Sequence, residues 1–372
     1  MSDTAPVADQ VPGAPHPRET PHLFGQDAAE QAFLTAYNSG RLHHGWLLTG
    51  PRGVGKATLA WRIARFLLAT PPAEDDGLFG APPPPATLDI APDHPVAHRL
   101  LAGSDPGLIT ITRSVNDKTG RLRDEIVVDD VRVLNRFFGL SATDGGRRVV
   151  IVDCADEMNV NAANALLKML EEPPARTTLL LISHRPSGLL PTIRSRCRTL
   201  RLSPLSAEDM GRALEQAGAA IPGNAGHLTA LAAGSVGAAL RLTALGGLDL
   251  YAELIALLAT LPRLDRPRAL ALAEAAAQRG AGDRFDLLLD LIDTALARLA
   301  RTGAAGQPPQ PEAARGEAEA LARLAPNAYS ARAWADAAAE ITARSRHGKA
   351  VNLDPAALVL DTVFKMQKTA AG

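Results

Sequence analysis

The stretch GPRGVGKAT, residues 50–58, has the spacing of a loop that wraps around phosphate. Gly50, Gly53 and Gly55 free the backbone to turn its N–H groups onto phosphate oxygens, and Lys56 supplies a cation for the outer phosphates. One part is missing. A hydroxyl side chain normally follows the lysine and holds Mg²⁺, but the residue here is Ala57. Thr58 stands one position further on, about 100° round on a helix, so it replaces that ligand only in a distorted loop. A Gly-rich strand-to-helix turn with no ligand is the plain alternative.

Other chemistry-bearing residues sit at the ends of apolar runs. RRVVIVD (147–153) ends on Asp153 and is followed by Cys154, Asp156 and Glu157. IRSRC (193–197) carries Arg196 between Arg194 and Arg198; its planar, permanent charge suits phosphate oxygens, and the alternative is a solvated arginine in a basic turn. Cys154 and Cys197 are the only cysteines, too few for a four-cysteine zinc site, and they do not point to a disulfide framework. Cys197 reads as a small buried residue, not a reactive thiol. The pair His43–His44 invites a metal, but adjacent strand residues face opposite ways, so no metal site is expected.

Strands and helices alternate in the first part of the chain. HGWLLTG, GLITIT, RRVVIVD, TTLLLIS and CRTLRLS read as strands, with helices such as KATLAWRIARFLLAT and the one near 161–171, which EEPP stops. That alternation predicts a parallel sheet with crossover helices. Residues 1–20 read as a disordered tail, and 71–95, with eight prolines, as a flexible or extended excursion outside the packed core. After about Ser206 alanine and leucine dominate at helical period and no strand is expected; the Gly/Pro/Gln stretch at 303–311 reads as a loop. The 372 residues exceed one core, and the net charge of -1 argues against a protein that alone grips nucleic acid strongly. No signal-peptide core and no apolar run of about 18 residues appears, so a cytoplasmic protein without membrane contact is expected.

Three stretches together carry a resemblance: GRLHHGWLLTGPRGVGKATLA (40–60), VVIVDCADEMNVNAANALLKMLEEPP (149–174) and LLLISHRPSGLLPTIRSRC (179–197). The chain resembles the bacterial clamp-loader family of AAA+ proteins over roughly residues 22–245, and NLDPAALVLDTVF near the end looks like that family's last collar helix. The resemblance implies an α/β AAA+ P-loop domain with a parallel sheet at 21–205. A small helical lid at 206–247 and an all-α collar at 248–372, which associates into a ring, would follow.

It also implies roles for individual residues. Asp153 matches the acid that holds Mg²⁺ through water, but catalytic members follow it with a glutamate base where this chain has Cys154. Asp156 and Glu157 are out of register with that position. The lid arginine of catalytic members is replaced by Gly237, with Arg241 one turn later left open as a displaced substitute. With the Mg²⁺ hydroxyl, the base and the lid arginine all missing, no useful ATP hydrolysis is expected and no cofactor is required; weak ATP or ADP binding through Gly50, Gly53, Gly55, Lys56, Thr58 and Asp153 stays open. Zinc is not carried over, because the cysteine module of many members has no counterpart here.

In the family the arginine of Ser195–Arg196–Cys197 reaches across a subunit interface as an arginine finger on a neighbour's ATP, worth ~10³–10⁵ in rate. The implied role is a non-catalytic subunit of a DNA-directed DNA polymerase holoenzyme, helping to load the sliding clamp onto primed DNA during replication. Its implied partners are gamma/tau ATPase subunits, a delta subunit, the sliding clamp and, through the hetero-pentameric ring, primed DNA. The competing expectation is a catalytically active gamma/tau-like ATPase that uses Thr58 for Mg²⁺ and Asp156 or Glu157 as base.

Overall fold

Five short apolar runs form one fully parallel sheet in the order β2-β3-β4-β1-β5. The structure is a computed structural model and describes residues 8–10, 14–70, 83–116, 118–139, 146–219, 225–278 and 282–372. In chain order the first elements are α1 (Asp27–Asn38), β1 (Gly45–Thr49), α2 (Lys56–Ala69) and α3 (Pro95–Leu101). Then come β2 (Leu108–Ile111), α4 (Val128–Gly139), β3 (Arg148–Asp153), α5 (Val160–Glu171) and β4 (Thr177–Ser183). The short α6 (Pro191–Arg194), β5 (Arg198–Arg201) and α7 (Ala207–Gln216) follow.

Every residue of β1 and β4 is buried, because each strand has a neighbour on both edges and helices on both faces. On one face Leu47, Val150, Val152, Leu179 and Leu181 pack with Leu134 of α4 and Leu166 and Leu170 of α5. On the other, α2 lies against β3 and β4, and Phe33 of α1 meets Trp46 at 5.0 Å between ring centroids. This three-layer α/β arrangement is the one the alternating pattern predicts.

Expectations for irregular segments change, two of them in the first part of the chain. Of the tail expected at 1–20, residues 14–20 are ordered: His16 is buried with its ring edge-on to Trp61, and it caps a single 3₁₀ turn over Pro17–Glu19. The reason lies in α2, whose arginines have few solvent partners: Arg62 donates to the Pro21 carbonyl (2.6 Å) and Arg65 to that of Arg18 (2.7 Å). Of the excursion expected at 71–95, residues 71–82 lie outside the described residues; the rest lacks regular structure until α3, but Leu88 is fully buried and Asp89 pairs with Arg62 at 2.9 Å. An apolar side chain and a buried cation were enough to hold a proline-rich segment on the core.

The chain packs as two compact units, one of residues 1–218 with 235–237 and one of 219–234 with 238–372. So α7 of the expected lid segment groups with the α/β unit. The remaining helices are α8 (Ala225–Ala232), α9 (Val236–Ala244), α10 (Gly247–Thr260), α11 (Arg266–Ala277), α12 (Gly282–Ala305), α13 (Glu317–Leu324), α14 (Ala328–Ala350) and α15 (Pro355–Ala371). The second unit is all α among the described residues, with α12 against α14 and α11 against α15. Here α12 runs through Gly303, which was expected in a loop: a side chain at that position would strike the Asn327 carbonyl (2.6 Å) and Ala331 (2.9 Å), so glycine lets two helices touch. Glu317, the one fully buried acid among the described residues of this unit, takes two bonds from Arg298 (2.6 and 2.8 Å), one from Tyr251 (2.6 Å) and one from the Ala313 N–H (2.6 Å). Among the described residues no single helix is long and apolar enough to cross a membrane.

Candidate functional site

The glycine loop joins β1 to α2, and α2 is regular from Lys56 onward, capped by Gly55 at φ 99°. The loop is therefore undistorted, and Thr58 stays about 100° round the helix from Ala57, where the hydroxyl would be needed. Lys56 is buried, and its Nζ donates to the loop's own carbonyls, Gly50 (2.7 Å) and Pro51 (2.5 Å). Burial pushes its ammonium down to about 8, against the pull of Asp153 and Asp156. Gly53, at φ 77°, is equally committed: its carbonyl accepts the Gly237 N–H (3.3 Å), and an added side chain would strike Ser235 and the Gly237 nitrogen (2.9 Å).

The acidic edge of the site is altered too. Asp153 ends β3, and burial pushes its carboxyl up to about 6 although the Cys154 thiol donates to it (3.1 Å). Cys154 is itself buried, which drives its thiol far above the ordinary range, and its Sγ lies 3.0 Å from His184 Nε2. Burial, then the charges of Lys56 and Arg52, push His184 down to about 4. The two acids considered as substitute bases are both occupied. Asp156 accepts the backbone N–H groups of His184 (3.0 Å) and Arg185 (3.3 Å), and Glu157 pairs with Arg113 (2.9 Å). Among the described residues the loop thus has no hydroxyl at position 57, its lysine donates to its own carbonyls, and Asp156 and Glu157 have partners within the chain. In the second unit Arg241 is paired with Asp290 at 2.6 Å.

The Ser195–Arg196–Cys197 segment occupies the opposite end of the sheet. The strands are parallel, with Trp46 of β1 opposite Arg198 of β5, so the segment precedes β5 where β1 begins, whereas the glycine loop follows the end of β1. The five residues of β1 put about 16 Å between those two levels. Arg196 is partly exposed at 38%; its Nη1 donates to the Thr192 carbonyl (3.1 Å) and its Nη2 to Glu171 (3.0 Å). Ser195 Oγ donates to the same carbonyl (3.1 Å). Cys197 packs against the α5 side of the core, and burial pushes its thiol up to about 12, which agrees with an inert residue.

The histidine pair departs from expectation. His43 and His44 precede β1 and do not alternate; their rings stack with centroids 4.5 Å apart, and each faces a backbone carbonyl, Gly45 for His43 (2.8 Å) and Leu170 for His44 (3.0 Å). Sequence reasoning missed Glu171 and His184, because their partners Arg196 and Cys154 are brought to them by the sheet and not by any local spacing.

The family described as DNA polymerase III, delta subunit, matches residues 25–206. A DNA polymerase III subunit delta' from Pseudomonas aeruginosa is 44% identical over 154 residues, 41% of this chain and 41% of its own length. The delta' subunit from Escherichia coli is 33% identical over 175 residues, 47% of this chain and 46% of its own. A tau subunit from Salmonella typhimurium is 30% identical over 289 residues, 76% of this chain and 41% of its own. The aligned stretch thus spans less than half the length of each relative. The matched residues 25–206 hold the glycine loop, Asp153 and the Ser195–Arg196–Cys197 segment, and over that stretch the chain is similar to delta' subunits of DNA polymerase III.

Proposed function

We propose that this chain is a non-hydrolysing subunit of a clamp-loader ring that helps to place a sliding clamp on primed DNA. Its own contribution to ATP cleavage is Arg196, offered in trans to a neighbouring gamma/tau-type ATPase subunit, with a delta subunit elsewhere in a five-membered ring. The observation that carries this reading is the separation of the two ends of the sheet. Arg196 is partly exposed at the level where β1 begins, about 16 Å from a glycine loop whose lysine and backbone are bonded to the protein itself. An arginine so placed does not serve its own loop, and a planar cation reaching from outside is what a neighbour's γ-phosphate requires.

The test is reconstitution with the ATPase and delta subunits. Arg196→Ala should leave assembly intact and lower DNA- and clamp-stimulated ATP turnover by at least tenfold; unchanged turnover removes the finger assignment. The competing reading, a gamma/tau-like ATPase, draws on the tau match, but Asp156 and Glu157 are held by other partners and Thr58 is out of position. Steady ATP turnover by the isolated chain, abolished in Lys56→Ala, would establish it instead. Weak ATP or ADP binding without turnover fits the first reading, and zinc plays no part in it.

A further inference from the structure

We infer that Glu171 is a positioning residue for Arg196, holding the guanidinium in one pose at the surface before it meets a neighbour's phosphate. The inference rests on the finger reading above and adds to it the device that presents the finger. An exposed arginine ordinarily samples many rotamers, so only a fraction of the population would be poised to reach a ligand. Here both terminal nitrogens are engaged, Nη1 by the Thr192 carbonyl at 3.1 Å and Nη2 by Glu171 at 3.0 Å. The remaining N–H groups of its five are left for other acceptors.

The two anchors stand on ordered backbone. Thr192 lies in α6, whose single turn leaves carbonyls without helical partners and therefore open to Ser195 and Arg196. Glu171 ends α5, which is capped at its start by Asn159 and stopped by Pro173 and Pro174. The helix end is fixed further by Leu170, whose side chain is buried in the core and whose carbonyl faces His44 Nε2 at 3.0 Å. The Glu171 side chain is half-exposed, so what the pinned helix fixes is its backbone, which limits the space its carboxylate can sample more than a loop would. What Glu171 supplies is an acceptor at a fixed place; its negative charge opposes the arginine's later task, so the geometry matters more than the charge.

The experiment compares Glu171→Ala, Glu171→Gln and Arg196→Ala, with the double variant Glu171→Ala/Arg196→Ala, in the reconstituted complex, assembly being checked by gel filtration. Losing an exposed ion pair shifts a side-chain population by about two- to fivefold. Glu171→Ala should lower kcat for ATP by that factor with KM unchanged, since the neighbour binds the nucleotide. Glu171→Gln, which keeps an acceptor oxygen, should return to within about twofold of wild type. Glu171→Ala should add nothing to Arg196→Ala. The inference is overturned if Glu171→Ala matches or exceeds wild type, if Gln is as poor as Ala, or if the loss persists without Arg196. Should Arg196→Ala itself have no effect, the finger reading fails and this inference with it. Should Arg196→Ala be slow while Glu171→Ala is normal, only the inference about Glu171 fails.

Discussion

Asp153→Asn should stabilise the protein at neutral pH. Burial at the end of β3 raises the Asp153 carboxyl from its ordinary 3.8 to about 6. A carboxyl with a folded pKa above its unfolded value keeps its proton in the native state over a range where the unfolded chain has lost it. Stability therefore falls as pH rises from about 4 to about 6 and stays at the lower level above that. The rise spans about two pH units, at about 1.4 kcal/mol each nearly 3 kcal/mol. Asp153 keeps some contact with solvent, which reduces the figure to about 2 kcal/mol. Asparagine keeps an oxygen for the Cys154 thiol and carries no charge to desolvate. For a unit of this size the gain is a melting temperature about 4–8 °C higher at pH 7.5. Scanning calorimetry from pH 4 to 8 should show variant and wild type converging near pH 4 and separating by pH 7. A variant no more stable than wild type at pH 7.5, or a difference independent of pH, would refute the reasoning.

Glu317→Ala should cost about 3–5 kcal/mol, because it takes the carboxylate from Arg298, which keeps only backbone carbonyls, and leaves the Tyr251 hydroxyl and the Ala313 N–H without their acceptor inside the helical unit; urea denaturation followed by circular dichroism measures it. Gly53→Ala should cost about 1–3 kcal/mol, since φ is 77° and the methyl meets Ser235 and Gly237. Faster amide exchange at Gly237 should accompany that loss. Neither Cys154, which is buried, nor Cys197, which is partly buried, should react with a disulfide reagent at pH 8 until the protein is unfolded, burial having raised both thiols well above that pH; rapid native labelling of either would contradict those raised thiols.

The sheet was legible because its signal is local. Continuous apolar runs such as TTLLLIS predict doubly covered strands, and β4 occupies the quoted residues, Thr177–Ser183. Helix stops were legible where proline enforces them, as after Glu171. What escaped was set by distant partners. Composition marked residues 1–20 and 71–95 as loose, but within them Arg62 and Arg65 find acceptors and Leu88 is buried, and those contacts outweigh local propensity. Gly303 looked like a loop glycine because its reason, Ala331 on another helix, lies far along the chain. At the site, the absence of the hydroxyl at 57 could be read directly. That Lys56 had turned to Gly50 and Pro51, or that Glu171 faced Arg196, depended on the folded sheet.

The pattern of loss and retention has a physical logic. Gly50, Gly53 and Lys56 touch the protein itself: a side chain at 50 or 53 would collide with Leu202 or with Ser235 and Gly237, and Lys56 closes the loop through two carbonyls. Ala57 and Cys154, the two positions where the resemblance implies a hydroxyl and a carboxylate, have no such role in closing the β1–α2 turn. On the proposed reading, the half of the loop that makes the fold stays under constraint whether or not the loop acts on a nucleotide. At the other end of the sheet the constraint is reversed: Arg196 is partly exposed and its ion pair contributes little to stability, so on the proposed reading its contacts with Thr192 and Glu171 serve to orient it toward a ligand outside the chain.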